Sequence, residues 1–345
     1  MNHHKIKVIL FGMGIMGKQI TRFLADKNVP VVAAVGRRSH IGEDIGELSG
    51  IGPSGVSLLA GPDIDLEEVI KASGANVAIH CSANLEEIAD QICCCLENGL
   101  NVIILSEDAY FPFVENLKTY KRLNDAALRN RVTLVGLGMQ DVTWSNKAVI
   151  LSGNCIRIDS ITCESWGMLD VVGQAELDKI HPGVSEEKFY KLTKEEGKEN
   201  RRGALTFAIY QIADELNLHV TKEITHPHTP ILAHTEFDTV HGLHIMPGQT
   251  MGSIQCTELM TAENITLTGK ICWAYGAEGA TGIDKWTFRG IPSFEVITDD
   301  PAPFFGTAID AVLRIPDVMK AEPGFITVKD LPKPRYLHGD LDDYV

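Results

Sequence analysis

The residues with the clearest chemistry in this chain are Gly12-Met13-Gly14-Ile15-Met16-Gly17, a G-x-G-x-x-G run. In such a run the first glycine permits a tight turn and the second lets the backbone close on a pyrophosphate. The third lets a helix pack on its strand, and the helix start aims unpaired N–H groups at the anion. Further on stands Gly36-Arg37-Arg38-Ser39, where an acidic residue would otherwise bond a ribose 2′-hydroxyl. Two guanidinium groups and a hydroxyl suit a 2′-phosphate instead, with no carboxylate to repel it. Glu107, followed by Asp108, is the third candidate. A carboxylate at that address can take a proton from an amine or hydroxyl, and partial burial tunes it for the task.

The elements needed to position these groups are legible. Residues 5–11 are a short β-rich apolar run leading into the glycines. Residues 15–27 have helical spacing and 29–35 read as a second strand, so strand, turn, helix and strand fit within about 30 residues. The alternation continues with a strand at 77–81, a helix at 85–98 stopped by Gly99, and a strand at 102–105. A helix at 117–129 and a strand at 132–135 follow, with Gly136 and Gly138 beyond. Repeated strand–helix units imply a parallel sheet with helices on both faces, and ligands bind at the carboxyl ends of its strands. Segments 12–17, 36–39, 80–84 and 106–110 all lie at such ends. Cofactor contacts are expected from Gly12, Met13, Gly14, Ile15, Met16, Gly17, Gly36, Arg37, Arg38, Ser39, Cys81, Ser82 and Asn84. The arginines favour NADP(H) over NAD(H). Glu107 then sits where the nicotinamide ring should lie.

After Gly138 the pattern changes. Residues 156–164 alternate, 185–202 read as an exposed helix plus loop, and 205–216 as a helix. Residues 219–245, 254–273 and 286–298 are strand-rich without intervening helices, which suggests an open, mainly antiparallel sheet. A helix at 307–319 and a short strand at 325–328 close the chain. The expected fold class is α/β: a Rossmann-type doubly wound parallel sheet plus a second α+β domain with that open sheet. The expected domains are 1–142 for the dinucleotide, 143–305 for substrate and dimerisation, and 306–345 returning to the first. Trp144, Trp166 and Met168 are candidate walls of a substrate pocket, as is Trp286. Arg157 offers either a bidentate grip on a substrate carboxylate or a pair with a surface acid.

Composition narrows the function classes. The 345 residues carry 46 acidic against 31 basic side chains, a formal charge of −15. That sign repels phosphate backbones and anionic membranes, so neither nucleic acid nor membrane is an expected partner. No stretch approaches the roughly 20 apolar residues that a spanning helix needs. Residues 1–11 read as a strand rather than a signal peptide. The eight cysteines show no metal-finger spacing, and the run Cys93-Cys94-Cys95 falls in a helix as packed thiols. These features point to a cytosolic compartment. His226, His228, His234, His241 and His244 crowd together. No neighbouring Cys or carboxylate completes a ligand set, and on a strand His226 and His228 would share one face; no metal is expected.

The succession GMGIMG, GRRS, LSEDAY and GLGMQDVTW resembles the 2,4-diaminopentanoate dehydrogenases and related NAD(P)H-dependent amine dehydrogenases. The stretch 308–332, with Pro316, Pro323-Gly324 and Asp330-Leu331-Pro332, is similar to their C-terminal segment. A more distant likeness is to dihydrodipicolinate reductases. The resemblance implies reversible reductive amination of a carbonyl compound with ammonia. Glu107 matches the family's catalytic glutamate and Trp144 an aromatic pocket wall. No pair of acidic residues stands ready for a second substrate amine, so a small ketone or aldehyde is the expected partner. Two alternatives are a cyclic imine reductase, whose histidine-rich motif carries a helical lysine not seen at 226–234, and a non-catalytic NADP(H) sensor. Homodimerisation through the open sheet face is expected by analogy.

Overall fold

Two units divide the chain in the computed structural model, Met1–Thr143 with Phe304–Val345, and Trp144–Pro303. The structure describes residues 4–81, 84–197, 201–276, 282–299 and 303–345. The first unit opens with β1 (Val8–Phe11), α1 (Ile15–Asp26), β2 (Val31–Gly36), α2 (Ile45–Ser49) and β3 (Leu58–Ala60). It continues through α3 (Leu66–Ser73), β4 (Val77–His80), α4 (Leu85–Glu97), β5 (Asn101–Ile104), α5 (Leu117–Asn130) and β6 (Thr133–Gly136). The second unit comprises α6 (Lys147–Ser152), β7 (Arg157–Met168), α7 (Gln174–Ile180), α8 (Glu186–Glu195), α9 (Ala204–Glu215) and β8 (Val220–Leu232). There follow β9 (Phe237–Asp238), β10 (His244–Ile245), β11 (Thr250–Thr261), β12 (Thr266–Ala274), β13 (Ile283–Ile291) and β14 (Phe294–Asp299). Then α10 (Pro303–Leu313), α11 (Ile315–Lys320) and β15 (Gly324–Ile326) complete the first unit.

The first unit is a seven-stranded parallel sheet in the order β15-β6-β5-β4-β1-β2-β3. Its strands are short apolar runs buried on both faces, as helices on either side require. Ile9, Phe11, Ala78, Val102, Ile104 and Leu134 pack there against Ile88, Ile92 and Leu96 of α4 and Leu123 and Ala127 of α5. Strand order reverses between β1 and β4, which opens a crevice at their carboxyl ends. Helix starts are capped by short acidic or amide side chains: Asp44 for α2, Asp65 for α3 and Asn84 for α4.

The second unit holds a six-stranded sheet in the order β14-β13-β7-β12-β11-β8. Only β7 with β12 is parallel; the other pairs are antiparallel. Ile161, Cys163 and Ser165 of β7 are buried on one face, while Thr162 and Glu164 are half-buried and Trp166 is exposed on the other. The covered face receives α9: a side chain at Gly269 would stand 2.9 Å from Leu205 Cγ. The expected open, mainly antiparallel sheet is therefore present. Among the described residues no helix is long and apolar enough to cross a membrane.

One expectation about β8 is corrected. Thr229 faces Ile254 of β11, but His226 faces Cys256, so β8 spends three residues where β11 spends two. A bulge at Pro227-His228 inserts the extra residue. His226 consequently stays on the open face, while His228 turns in and is buried with its ring nitrogen 3.1 Å from the Arg201 carbonyl. The two histidines do not share a face, because the bulge breaks the two-residue alternation.

Candidate active site

The strand ends of the first unit are tied to one another in steps. The Gly12 N–H donates to the Val35 carbonyl (2.8 Å), and the Cys81 N–H to Phe11 (2.9 Å). The Leu105 N–H donates to His80 (3.0 Å), and the Leu137 N–H to Ile104 (2.8 Å). Each residue leaving a strand is thus fixed to the end of a neighbouring one. The glycine turn, Cys81, the approach to Glu107 and the loop after β6 stand side by side along one edge.

The glycine turn fits an anion. Gly12 has φ +96°, where a side chain would be strained. A side chain on Gly17 would overlap the Gly12 carbonyl, so only glycine lets α1 start so close to the turn. At Gly14 a side chain would enter open space, the volume a pyrophosphate needs. Gly14 is also the N-cap of α1, and the helix has no acidic residue in its first turn. Its orphan N–H groups therefore meet no competing carboxylate. Ile15 is exposed and Met16 half-buried, but Met13 points into the core, 3.9 Å from the Thr21 hydroxyl, leaving only its backbone for a ligand.

The other expected cofactor residues differ in what occupies them. Gly36 is buried at the end of β2, and Arg37, Arg38 and Ser39 beyond it are exposed. Arg37 Nη2 donates to Glu87 Oε2 at 3.1 Å. Burial pushes the Cys81 thiol up to about 12, so it stays protonated. Its neighbour His80 is neutral: burial brings its pKa down to about 3, and the ring stacks on Phe11 at 4.0 Å. Ser82 lies outside the described residues. Asn84 uses its side-chain oxygen to accept from the N–H groups of Glu86 (2.9 Å) and Glu87 (3.2 Å).

Glu107 and Asp108 are adjacent carboxylates. Both lie in a short 3-10 turn, Glu107–Ala109, directly after β5. Asp108 accepts from the Leu85 N–H at 3.2 Å and the Asn116 amide at 2.9 Å, so it ties the turn to α4 and to the start of α5. Glu107 is half-buried at the carboxyl edge. The turn sits there because β6 ends in glycine: a side chain on Gly136 would overlap the Ala109 carbonyl. Sequence reasoning missed this role of Gly136, although the glycine itself was visible. It also missed the anchor of the next loop. The Gly138 N–H donates to Asp310 (3.1 Å), and buried Arg314 donates to Asp141 (2.7 Å) and Asp317 (2.9 Å). Burial and the charge of Asp141 push Asp310 well above the usual carboxylate range. Gly138 and Asp310 lie 172 residues apart in sequence, and Arg314 and Asp141 lie 173 apart, beyond any local pattern.

The candidate pocket residues of the second unit fall on the two faces of its sheet. Trp144, in the π-helical turn Gln140–Asn146, is buried, its indole facing the Asp284 carboxyl on the covered side of the sheet. Burial raises the pKa of Asp284, and Ser165 also faces it. Trp286 is buried on that side as well. Trp166 and Met168 share the open face. Arg157 begins the same strand and pairs with Asp159 at 3.1 Å. At about 3.3 Å per residue it lies roughly 30 Å from Trp166. The surface-pair reading of Arg157 is the one the structure carries, and a shared pocket with Trp166 and Met168 is corrected.

The five histidines also disperse. His226 meets Glu258 at 3.3 Å, His241 meets the Tyr275 hydroxyl at 3.0 Å, and His244 meets Asp238 at 2.8 Å. Local sequence placed no Cys or carboxylate beside His226; the sheet places both, Cys256 and Glu258.

Comparison with known proteins agrees with the architecture. The dihydrodipicolinate reductase N-terminus family matches residues 6–106, and the 2,4-diaminopentanoate dehydrogenase C-terminal domain family matches residues 145–345. The chain is similar to the 2,4-diaminopentanoate dehydrogenase of Acetoanaerobium sticklandii, 25% identical over 352 residues, covering 99% of this chain and 97% of that protein. It is similar in structure to the amine dehydrogenase of Mycobacterium smegmatis, with TM-score 0.89, 25% identity and coverage of 98% and 99% of the two chains. A dihydrodipicolinate reductase from Paenisporosarcina sp. TG-14 shares the fold at TM-score 0.52 and 13% identity, with 94% of this chain and 98% of that one covered. With more than half of its length matched by the 2,4-diaminopentanoate dehydrogenase C-terminal domain, the chain belongs to the 2,4-diaminopentanoate dehydrogenase family.

Proposed function

We propose that the protein is an NADP(H)-dependent amine dehydrogenase, interconverting a small ketone or aldehyde plus ammonia with the corresponding amine. The observation that carries this reading is the half-buried Glu107 after β5, on the same sheet edge as the glycine turn after β1. The names of the two relatives above support chemistry at a carbon–nitrogen bond. Arg37, Arg38 and Ser39 support the phosphorylated cofactor. From the end of β2 to the end of β5 is three strand spacings, about 14 Å, the scale of an extended dinucleotide.

Bound along that edge, the nicotinamide supplies or takes up a hydride. Glu107 accepts a hydrogen bond from ammonia and so holds the nitrogen lone pair toward the carbonyl carbon. As the C–N bond forms, the carboxylate takes a proton from nitrogen and passes it to the former carbonyl oxygen, giving the carbinolamine. A second proton, taken up from solvent through Glu107, lets that hydroxyl leave as water. The resulting iminium is a cation, which the carboxylate then stabilises electrostatically. In the reverse direction Glu107 deprotonates the ammonium form of the substrate and later activates water.

A cyclic imine reductase is the second reading, favoured by the match of residues 6–106 to the dihydrodipicolinate reductase N-terminus. The test is oxidation of NADPH and NADH with a panel of small ketones and aldehydes, with and without ammonium, on the wild type and Glu107→Ala. Ammonium-dependent NADPH oxidation that is lost in the variant is expected. Oxidation of NADPH by cyclic imines without ammonium would sink the amine reading. A homodimer through the open sheet face accompanies the proposal, to be checked by sedimentation.

A further inference from the structure

The open face of the second unit's sheet holds three donors of different chemistry that the sequence keeps far apart. His226 of β8 is the direct cross-strand partner of Cys256 on β11, and Glu258 stands two residues further along β11 on the same face. A nitrogen, a sulfur and a carboxylate oxygen from the three lie within 4.8 Å of one another. We propose that His226, Cys256 and Glu258 form a binding site for a divalent transition-metal ion of the zinc class.

Geometry is the first support. A tetrahedral ion with bonds of about 2.0–2.3 Å separates its ligands by about 3.3–3.7 Å. His226 Nε2 and Glu258 Oε1 already stand 3.3 Å apart, which is one edge of such a tetrahedron. The Cys256 sulfur lies within 4.8 Å of both, so the remaining two edges need it to move closer by about 1 Å. Imidazole, thiolate and carboxylate together suit zinc or its neighbours rather than calcium or magnesium, which prefer oxygen alone.

The surroundings agree. Lys270, the neighbour of Cys256 on β12, could compete as a cation, but its ammonium is bound to Glu164 at 3.1 Å. Glu164 cancels that charge, so the carboxylate of Glu258 leaves the patch attractive to a cation. The scaffold is firm, because β11 is paired on both sides over most of its length. The bulge at Pro227-His228 is what leaves His226 on this face with His228 turned away from it. Three protein ligands leave a fourth position, and because the proposed homodimer would use this same face, that position falls to water or to a group of the second copy. On binding, the S–H bond of Cys256 breaks, its proton goes to solvent, and a sulfur–metal bond replaces it.

The test is titration of the full-length chain with Co2+ and then Zn2+, monitored by absorption, proton release and circular dichroism. The expected result is one equivalent of Co2+ with a thiolate-to-cobalt charge-transfer band and tetrahedral visible bands. Binding should release one proton per ion, and Zn2+ should displace the cobalt. Cys256→Ser should abolish the charge-transfer band, while His226→Gln and Glu258→Gln should each weaken binding at least about tenfold, all with unchanged circular dichroism. A wild type without the band, or a band that survives in folded Cys256→Ser, overturns the proposal.

Discussion

Arg37, just beyond β2, donates from Nη2 to Glu87 Oε2 on α4 at 3.1 Å, with both side chains largely exposed. An exposed pair of this kind is weak and screened by salt. It holds the guanidinium beside the strand end while leaving it able to exchange partners for a dianionic 2′-phosphate. Glu87→Gln should therefore tighten NADPH binding by about two- to fivefold and leave NADH unchanged, whereas Arg37→Ala should weaken NADPH alone. Fluorescence titration with both cofactors reads this out. Equal responses to NADPH and NADH would return the arginines to plain surface charge.

Glu107→Gln keeps the shape of the side chain and removes its basicity. Turnover should fall by about 10²- to 10⁴-fold, while the dissociation constant for the cofactor stays as in the wild type. A variant with near-normal kcat would take Glu107 out of proton transfer.

Gly136→Ala tests how the turn bearing Glu107 is positioned. The added methyl meets the Ala109 backbone, which cannot rotate away as a side chain would. The turn must shift, with a loss of about 1–3 kcal/mol in stability and a larger fractional loss in kcat than in cofactor affinity. Denaturant unfolding together with steady-state kinetics checks both, and a Gly136→Ala enzyme of normal kcat would show that the turn tolerates displacement.

His80 carries a pH dependence of defined sign. Its folded pKa, about 3 against an ordinary 6.5, means that the unfolded chain binds a proton the folded chain refuses. Stability from the neutral ring is full above the ordinary value and is lost as pH falls from 6.5 toward 3. His80→Phe retains a ring against Phe11 and cannot titrate. Its melting temperature should overtake the wild type's progressively as the solution is acidified; parallel curves would clear His80 of any part in acid unfolding.

Asp310 predicts the opposite slope. Buried beside Asp141, it keeps its proton when folded but gives it up when unfolded above its ordinary value of 3.8. Its contribution is full below that value and is lost as pH rises toward the elevated folded pKa. Asp310→Asn can still accept from Gly138 and does not ionise, so it should gain on the wild type as pH rises. Thermal melts across pH decide it, a constant difference being the contrary outcome.

What the sequence determined by itself was local. A strand, a glycine turn, a helix and a second strand within one short stretch admit few arrangements, so the parallel sheet and the carboxyl edge that gathers these loops were readable from spacing alone. The address of Glu107 followed, because a carboxylate just past a parallel strand has only that edge to occupy. That Asp108 holds the turn was settled by the Leu85 and Asn116 groups that bond to it. The faces of Trp144 and Trp166, the partner of Arg157 and the gathering of His226 with Cys256 and Glu258 also needed the tertiary structure. So did the placement of β15 beside β6. The reason is register: one extra residue at Pro227-His228 exchanges the faces of a strand, and pairing across a sheet joins residues whose separation in sequence carries no periodic signal.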